Sequence, residues 1–172
     1  MGKLLERTTP KKIVFRPPIW YNDCMNTSYI AGLIDGEGYF GILPNYSKNL
    51  KGKSFSPVLK IGMTESSAKY IMEELQLRYG GRVEYRSRVK QGYRPVWYYI
   101  AKSNRRVKLI IDDILPDLIV KKPQAELILK FIALPYTHTL KVGYDPTIME
   151  TKQEMYEELK RLKAPESLAT TK

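Results

Sequence analysis

Residues 82–90 alternate between charged and apolar side chains, and this pattern limits the possible folds more than any other feature of the sequence. The even positions carry the charges, on Arg82, Glu84, Arg86, Arg88 and Lys90. The odd positions include Val83, Tyr85 and Val89. Because successive side chains of a strand point to opposite faces of a sheet, the alternation predicts a strand with one charged face and one face packed on a core.

Hydrophobic periodicity and cap residues predict the order helix, two strands, helix, two strands, and then further helices. The predicted strands cover residues 39–46, 54–63, 82–90 and 94–101. The predicted helices cover about 29–36, 65–79, 103–115, 122–134 and 146–163, with Asn26 and Asp145 among the candidate N-caps. Two hairpins set among helices indicate an α+β fold, in which helices cover one face of an antiparallel sheet.

The composition favours a polyanionic partner such as nucleic acid. The chain has 29 Lys and Arg against 18 Asp and Glu, which gives a formal net charge of +11. Its single cysteine, Cys24, and single histidine, His138, exclude an internal disulfide and a zinc site with two histidines from one chain. This cysteine usage predicts a reducing intracellular compartment. The sequence leaves open whether that compartment is the cytoplasm of a prokaryote or an organelle. No apolar run approaches the roughly 18 residues that span a membrane, so no membrane partner is expected.

Residues 1–26 differ from the rest of the chain. They combine Pro10, Pro17 and Pro18 with basic residues and show no regular period. This basic arm is interpreted either as a disordered tail or as a segment that lies along a phosphate backbone. Residues 27–172 are predicted to form a single domain, because a segment of this length can bury a sizeable core.

The first predicted helix ends in two acids set between glycines. Residues 30–38 read IAGLIDGEG, which places Asp35 and Glu37 at the negative end of the helix dipole, at a cost of about 0.3 to 1 kcal/mol each. One interpretation is a helix whose small residues allow a close packing contact, followed by a glycine-rich turn. The other is a site for a hard divalent cation such as Mg²⁺, which binds carboxylate and carbonyl oxygens.

These nine residues closely resemble the signature of the LAGLIDADG homing endonucleases, from which they differ mainly at Ile30, Gly36 and Glu37. A second block, residues 115–129, is similar to the helical region that follows the sheet in that family. The resemblance implies an αββαββα core with further C-terminal helices. It also implies a saddle-shaped antiparallel sheet that straddles double-stranded DNA.

The resemblance further implies a homodimer, because family members with one motif pair through their motif helices. The expected contact residues are Ala31, Gly32, Asp35 and Gly36. Glu37 corresponds to the family's metal-binding acid, with the carbonyl of Gly36 as a second ligand, whereas Asp35 corresponds to a more structural acid. The implied cofactor is Mg²⁺ or another hard divalent cation, such as Mn²⁺, or Ca²⁺ in a form that binds DNA without cutting it.

Two further catalytic assignments depend on the resemblance. Lys121, with Lys122 as the alternative, corresponds to a lysine that stabilises charge on the phosphate. Glu65 and Lys69 have the spacing of a pair that organises active-site water. The alternative for this pair is an i,i+4 salt bridge on a helix surface, worth about 0.2 to 0.5 kcal/mol.

One face of the sheet is expected to contact DNA, through one parity of each strand. Arginine can bind guanine, glutamate can accept a hydrogen bond from cytosine, and lysine can contact the backbone, whereas the alternative is a charged face that contacts only solvent. The expected DNA-binding residues are Tyr39, Asn45, Lys48, Ser56, Lys60, Arg82, Glu84, Arg86, Arg88, Trp97 and Tyr99. Pro95 interrupts the alternation of the fourth strand, so the assignment of Trp97 and Tyr99 rests on a less regular pattern.

Together these features predict a site-specific homing endonuclease. It would act as a homodimer and hydrolyse both strands of a long pseudo-palindromic DNA target in a Mg²⁺-dependent reaction. The alternative is an intron RNA maturase or a non-cleaving DNA-binding protein on the same fold. No small-molecule substrate is expected in either case.

Overall fold

The computed structural model describes residues 25–46, 53–64, 67–87, 92, 94–135 and 145–164. The elements are α1 (Thr27–Glu37), β1 (Gly38–Tyr46), β2 (Lys53–Met63), α2 (Ala68–Tyr79), β3 (Arg82–Arg86), β4 (Val96–Lys102), α3 (Asn104–Ile114), α4 (Lys122–Ala133) and α5 (Pro146–Arg161). The predicted order of helices and strands and the α+β class are confirmed.

The four strands form one antiparallel sheet in the order β1-β2-β4-β3. The two hairpins therefore join through β2 and β4, which pair Ile61 with Tyr99. One face of the sheet carries the core, and helices pack against it. The strands contribute fully or almost fully buried side chains to that core, including Phe40, Ile42, Leu59, Ile61, Tyr99 and Ala101. The opposite face, called the open face below, is the one that the charged alternation of β3 occupies.

Local cap residues set the ends of several helices. The side-chain oxygen of Asn26 accepts the backbone N–H of Tyr29 at 2.8 Å, and that of Asp145 accepts the N–H of Thr147 at 3.0 Å. Both predicted N-caps are therefore confirmed. Helix α2 ends at Tyr79, and the following Gly80 has a φ of 70°, a backbone conformation that residues with a Cβ rarely adopt.

Some boundaries differ from the prediction. Helix α2 begins at Ala68 instead of residue 65, and β3 ends at Arg86 instead of residue 90. The predicted site residues Lys48, Glu65 and Arg88 lie outside the described residues, as do His138 and all of the basic arm except Met25 and Asn26. Their assignments stay predictions.

Gly38 explains the sharp exit from α1. A Cβ at this position would lie 2.5 Å from the carbonyl oxygen of Ile34 and 2.8 Å from its Cα. These are backbone atoms that cannot move independently of the helix, so glycine is required where α1 turns directly into β1. By contrast, a Cβ at Gly32 or Gly36 would meet nothing within 4 Å.

Candidate active site and nucleic-acid interface

Asp35 joins the end of α1 to the start of α4. Its carboxylate accepts three backbone N–H bonds, from Ile119 at 2.8 Å, Val120 at 3.2 Å and Lys121 at 2.8 Å. Burial raises the pKa of Asp35, but these bonds outweigh burial and the net pKa lies below the usual value. The carboxylate therefore has favourable partners near the positive end of α4, which offset the dipole cost expected at the end of α1.

Lys121 completes this connection in the opposite direction. Its Nζ donates to the carbonyl oxygen of Ile34 at 2.9 Å and to that of Asp35, so it caps two carbonyls at the end of α1. Burial lowers the pKa of Lys121, while the carboxylates of Asp35 and Glu37 act in the opposite direction. The Lys121 ammonium group thus lies at the end of α1, the helix whose last residue is Glu37. The alternative, Lys122, is the first residue of α4.

Glu37 is the last residue of α1, and its side chain is exposed. Within the described part of the chain, no group donates a hydrogen bond to its carboxylate or pairs with it. The preceding Gly36 is exposed as well. Glu37 therefore differs from Asp35, because its carboxylate is available to a ligand from outside the chain.

The oxygen ligands that Glu37 and Gly36 offer fit a hard divalent cation whose remaining ligands come from water and from the substrate. No group of three or more His, Cys, Asp or Glu side chains that could enclose a metal occurs among the described residues. One carboxylate and the Gly36 carbonyl supply oxygen ligands only. This agrees with Mg²⁺, which proteins commonly hold through one or two carboxylates together with waters and substrate phosphates.

The residues of α1 that were predicted to contact a second copy differ in how exposed they are. Ala31 is fully buried in the chain's own core, so its assignment to a dimer contact is wrong. Its small side chain instead serves packing within the chain. Gly32 and Gly36 are exposed. The Asp35 carboxylate is bound to the backbone of residues 119–121, which limits its use in an intermolecular contact.

The strand registers place most of the predicted DNA-binding residues on the open face. Tyr39 pairs with Lys60 in β1 and β2, while the side-chain amide of Asn45 donates to Ser56 Oγ at 2.9 Å. The third strand adds Arg82, Glu84 and Arg86 to the same face.

The assignment of the fourth strand is wrong by one residue. Trp97 packs against the core cluster and Tyr99 is fully buried, so both lie on the helix-covered face. Tyr98 is the residue on the open face, where it pairs with Glu84. The run of apolar and aromatic residues at 96–100 shows no polar alternation that could set the register. The signal that sequence reasoning missed is that cross-strand partners share a face, so the parity of β4 follows from its pairing with β3.

Five side chains on the open face form a group that we call the Glu84 cluster. They are Lys60, Arg82, Glu84, Arg86 and Tyr98. Glu84 forms ion pairs with Arg82 at 2.5 Å and with Arg86 at 2.9 Å. The hydrogen bond from Arg86, with help from Arg82 and Lys60, holds the pKa of Glu84 below its usual value. The Tyr98 ring lies 3.9 Å from Lys60 Nζ and 5.3 Å from the Arg86 guanidinium carbon.

A further basic residue, not expected from the sequence, lies at the β1 end of the open face. Lys163, just beyond α5, places its Nζ 3.8 Å from the centre of the Tyr39 ring. Partial burial lowers the pKa of Lys163 to about 8. The Tyr39 ring itself lies so close to Gly41 that a Cβ there would be 2.6 Å from it. Helix α5 therefore helps to position Tyr39, two residues after Glu37.

Lys69 forms an ion pair within α2, while its predicted partner Glu65 lies outside the described residues. Its Nζ lies 3.7 Å from Glu73 in an i,i+4 pair, and 5.9 Å from the centre of the Trp97 ring. Both partners of the ion pair are about half exposed, so the pair contributes little to stability. The assignment of Glu65 and Lys69 to organising active-site water therefore stays a prediction.

None of the helices in the described ranges is both long and apolar enough to span a bilayer.

The profile of the family described as "LAGLIDADG endonuclease" matches residues 30–118, more than half of the chain. No curated protein sequence matches the chain significantly. Among solved structures, the homing endonuclease I-CvuI in complex with a DNA target in the presence of Mg has a TM-score of 0.65 and 17% identity, over 79% of this chain and 80% of its own. The archaeal intron-encoded homing endonuclease I-Vdi141I, complexed with DNA, has a TM-score of 0.61 and 20% identity, over 79% of this chain and 82% of its own.

The solved structures differ in the share of their own chain that the match covers, which is about four fifths for I-CvuI and I-Vdi141I but less than half for I-SmaMI. The meganuclease I-SmaMI bound to uncleaveable DNA has a TM-score of 0.63 and 18% identity, over 83% of this chain but 47% of its own. At these identities the structures show a shared fold, while the profile match identifies the family. The motif occurs once in this sequence. The chain therefore belongs to the LAGLIDADG family of DNA endonucleases, as a single-motif member.

Proposed function

We propose that this protein is a Mg²⁺-dependent homing endonuclease that cuts both strands of a long, pseudo-palindromic DNA target as a homodimer. The observation that carries the proposal is the contrast between the two acids of the motif. Asp35 is fully occupied by backbone N–H groups, whereas Glu37, the last residue of the helix that Lys121 caps, presents an exposed carboxylate.

Each group in this site has a defined role in the proposal. Glu37 and the Gly36 carbonyl bind the cation. When bound, a hard divalent cation supplies a Lewis acid that polarises the phosphoryl group and lowers the pKa of coordinated water. Lys121 donates two bonds to the α1 carbonyls within the described structure, which leaves the third N–H of its ammonium group for a phosphate oxygen.

The surface around α1 supports the homodimer. Gly32 and Gly36 present a smooth, exposed helix surface, and Tyr29 on the same helix is 43% exposed. The neighbouring Ile119 and Val120 are 82% and 69% exposed, an unusual state for large apolar side chains. Asp35 anchors their backbone to the end of α1. Because the same patch would be used by both copies, a twofold contact would bury these side chains and bring the two Glu37 carboxylates close to the axis.

DNA carrying the insertion site of the host gene provides the direct test. We expect the purified protein to produce double-strand cuts in this DNA with Mg²⁺ and no cuts when EDTA replaces it, as measured on gels. Ca²⁺ should allow binding without cutting. Absence of cleavage with Mg²⁺, despite binding to the site, would contradict the endonuclease proposal and favour the non-cleaving alternative.

A matched pair of variants tests the homodimer. Ile119→Glu is expected to shift the protein to monomers, with a dimer dissociation constant at least about 100-fold higher, because it places a charge in an apolar contact. Leu77→Glu on α2 serves as the control, since Leu77 is as exposed as Ile119, at 82%. Sedimentation equilibrium measures both. A wild-type monomer, or an equal effect of the two substitutions, would refute the proposed interface.

A further inference from the structure

Glu84 is an acid in the middle of a basic surface. It is the only acidic residue among residues 82–108, which contain nine Lys or Arg. The structure places it between Arg82 and Arg86 on the open face, opposite Tyr98. A surface selected only for affinity to a polyanion would have no acid at this position, because a carboxylate repels phosphate.

The geometry indicates what the acid does to its neighbours. The Glu84 side chain is 22% exposed, whereas those of Arg82 and Arg86 are 63% and 45% exposed. The Glu84 carboxylate therefore lies closer to the sheet than the two guanidinium groups, which extend further towards solvent. Two Arg86 nitrogens contact one Glu84 oxygen, at 2.9 and 3.3 Å, and the carbon of the same guanidinium lies 5.3 Å from the centre of the Tyr98 ring. Arg86 is thus restricted by an ion pair and by a ring.

The ion pairs also change the charge that the surface presents. Lys60, Arg82 and Arg86 carry three positive charges, and Glu84 cancels one of them. Sequence-independent binding to DNA depends on how many phosphates the protein neutralises, whereas specificity comes from oriented contacts to base edges. An arginine held by a carboxylate loses freedom to move to the nearest phosphate, but its remaining N–H groups can still bind guanine.

On the basis of the proposed DNA-binding function, we infer that Glu84 is a specificity-determining residue. It holds Arg82 and Arg86 in orientations suited to base edges and weakens their binding to phosphates in any sequence. The DNA target would have its discriminating bases opposite this part of the open face.

The charge-neutral substitution Glu84→Gln tests this role, because it keeps the shape of the side chain. Affinities for a duplex with the insertion site and for a random duplex are measured in Ca²⁺ between 50 and 200 mM salt, a range over which phosphate contacts dominate the change in affinity. We expect binding to random DNA to strengthen by about 3- to 10-fold and its salt dependence to steepen by about one phosphate contact. Affinity for the insertion site should gain less, so that the ratio of the two affinities falls.

Glu126→Gln is the matched control, since Glu126 is an exposed acid on α4 and the substitution changes the net charge equally. It should leave both affinities unchanged. Binding to a panel of duplexes with single base changes gives a second readout. Glu84→Gln should relax discrimination at a few adjacent base pairs. If Glu84 served only the structure of the protein, its substitution would lower the affinity for all duplexes equally.

The outcomes separate this inference from the proposed function. If the wild-type protein prefers the insertion site but Glu84→Gln leaves the affinity ratio and the base preferences unchanged, the inference about Glu84 is wrong and the endonuclease proposal stands. If the wild-type protein does not distinguish the insertion site from random DNA, the proposed function fails, and the role of Glu84 in specificity fails with it.

Discussion

Substitution of Glu37 by glutamine is expected to reduce DNA cleavage by about 10³-fold or more while leaving DNA binding and the fold intact. The amide has the same shape, but it carries no charge and is a poor ligand for a hard cation. Removal of one group that stabilises a transition state commonly costs about 10² to 10³ in rate, and loss of a cation ligand would remove the activated water as well. The rate of plasmid linearisation in Mg²⁺, under single-turnover conditions, measures the effect.

The exposure of Glu37 makes this experiment clear to interpret. The Glu37 carboxylate forms no hydrogen bond or ion pair with any residue that the structure describes, so the substitution breaks no such contact there. Glu126→Gln again supplies a change of equal charge away from the motif, and it should cut at the wild-type rate. Cleavage by Glu37→Gln at a rate similar to wild type would show that the cation is held elsewhere.

The Asp35→Ala substitution is expected to lower the free energy of unfolding by about 3 kcal/mol, because it leaves three backbone N–H groups without their charged acceptor. Its effect on cleavage should follow from the loss of structure, since residues 119–121 and Lys121 would no longer be fixed to α1. Urea denaturation at one fixed protein concentration measures the change, because the stability of a dimer depends on concentration.

Asp117→Ala is the control for this prediction. The Asp117 carboxylate accepts one exposed hydrogen bond, from Ser28 Oγ at 3.0 Å, so its removal should cost about 0.5 to 1.5 kcal/mol. Asp35→Asn should have an intermediate effect, because one oxygen can still accept while its NH₂ group faces a donor. Equal losses for Asp35→Ala and Asp117→Ala would contradict the role assigned to Asp35.

Patterns with a short range in sequence predicted most of the fold. The period of two in β3 placed Arg82, Glu84 and Arg86 on one face, because the pleat of a strand is independent of its neighbours. The caps Asn26 and Asp145 were recognisable because a cap bonds to a backbone N–H only two or three residues away. Failure occurred where the local pattern was absent, as in the aromatic run of β4, where pairing with β2 and β3 sets which residue faces outwards.

The candidate site was predictable only in part for the same reason. The motif identified Glu37 and Asp35 as acids with different roles, but it did not show what Asp35 binds. It also suggested that all small residues of α1 serve an external contact, whereas Ala31 is buried within the chain. A helical period of small residues does not reveal which of them face the chain's own core.

By itself, the sequence determined the family, the order of elements, the charged face of β3 and the acid at the end of the motif helix. These depend on residue types and on spacings within one element. Only the tertiary structure decided that the Asp35 carboxylate binds the distant backbone of residues 119–121. It also decided that Lys121 caps α1 and that Tyr98 lies beside Arg86. Such contacts depend on how separate elements pack against each other, and the period of a single helix or strand carries no information about its distant partners.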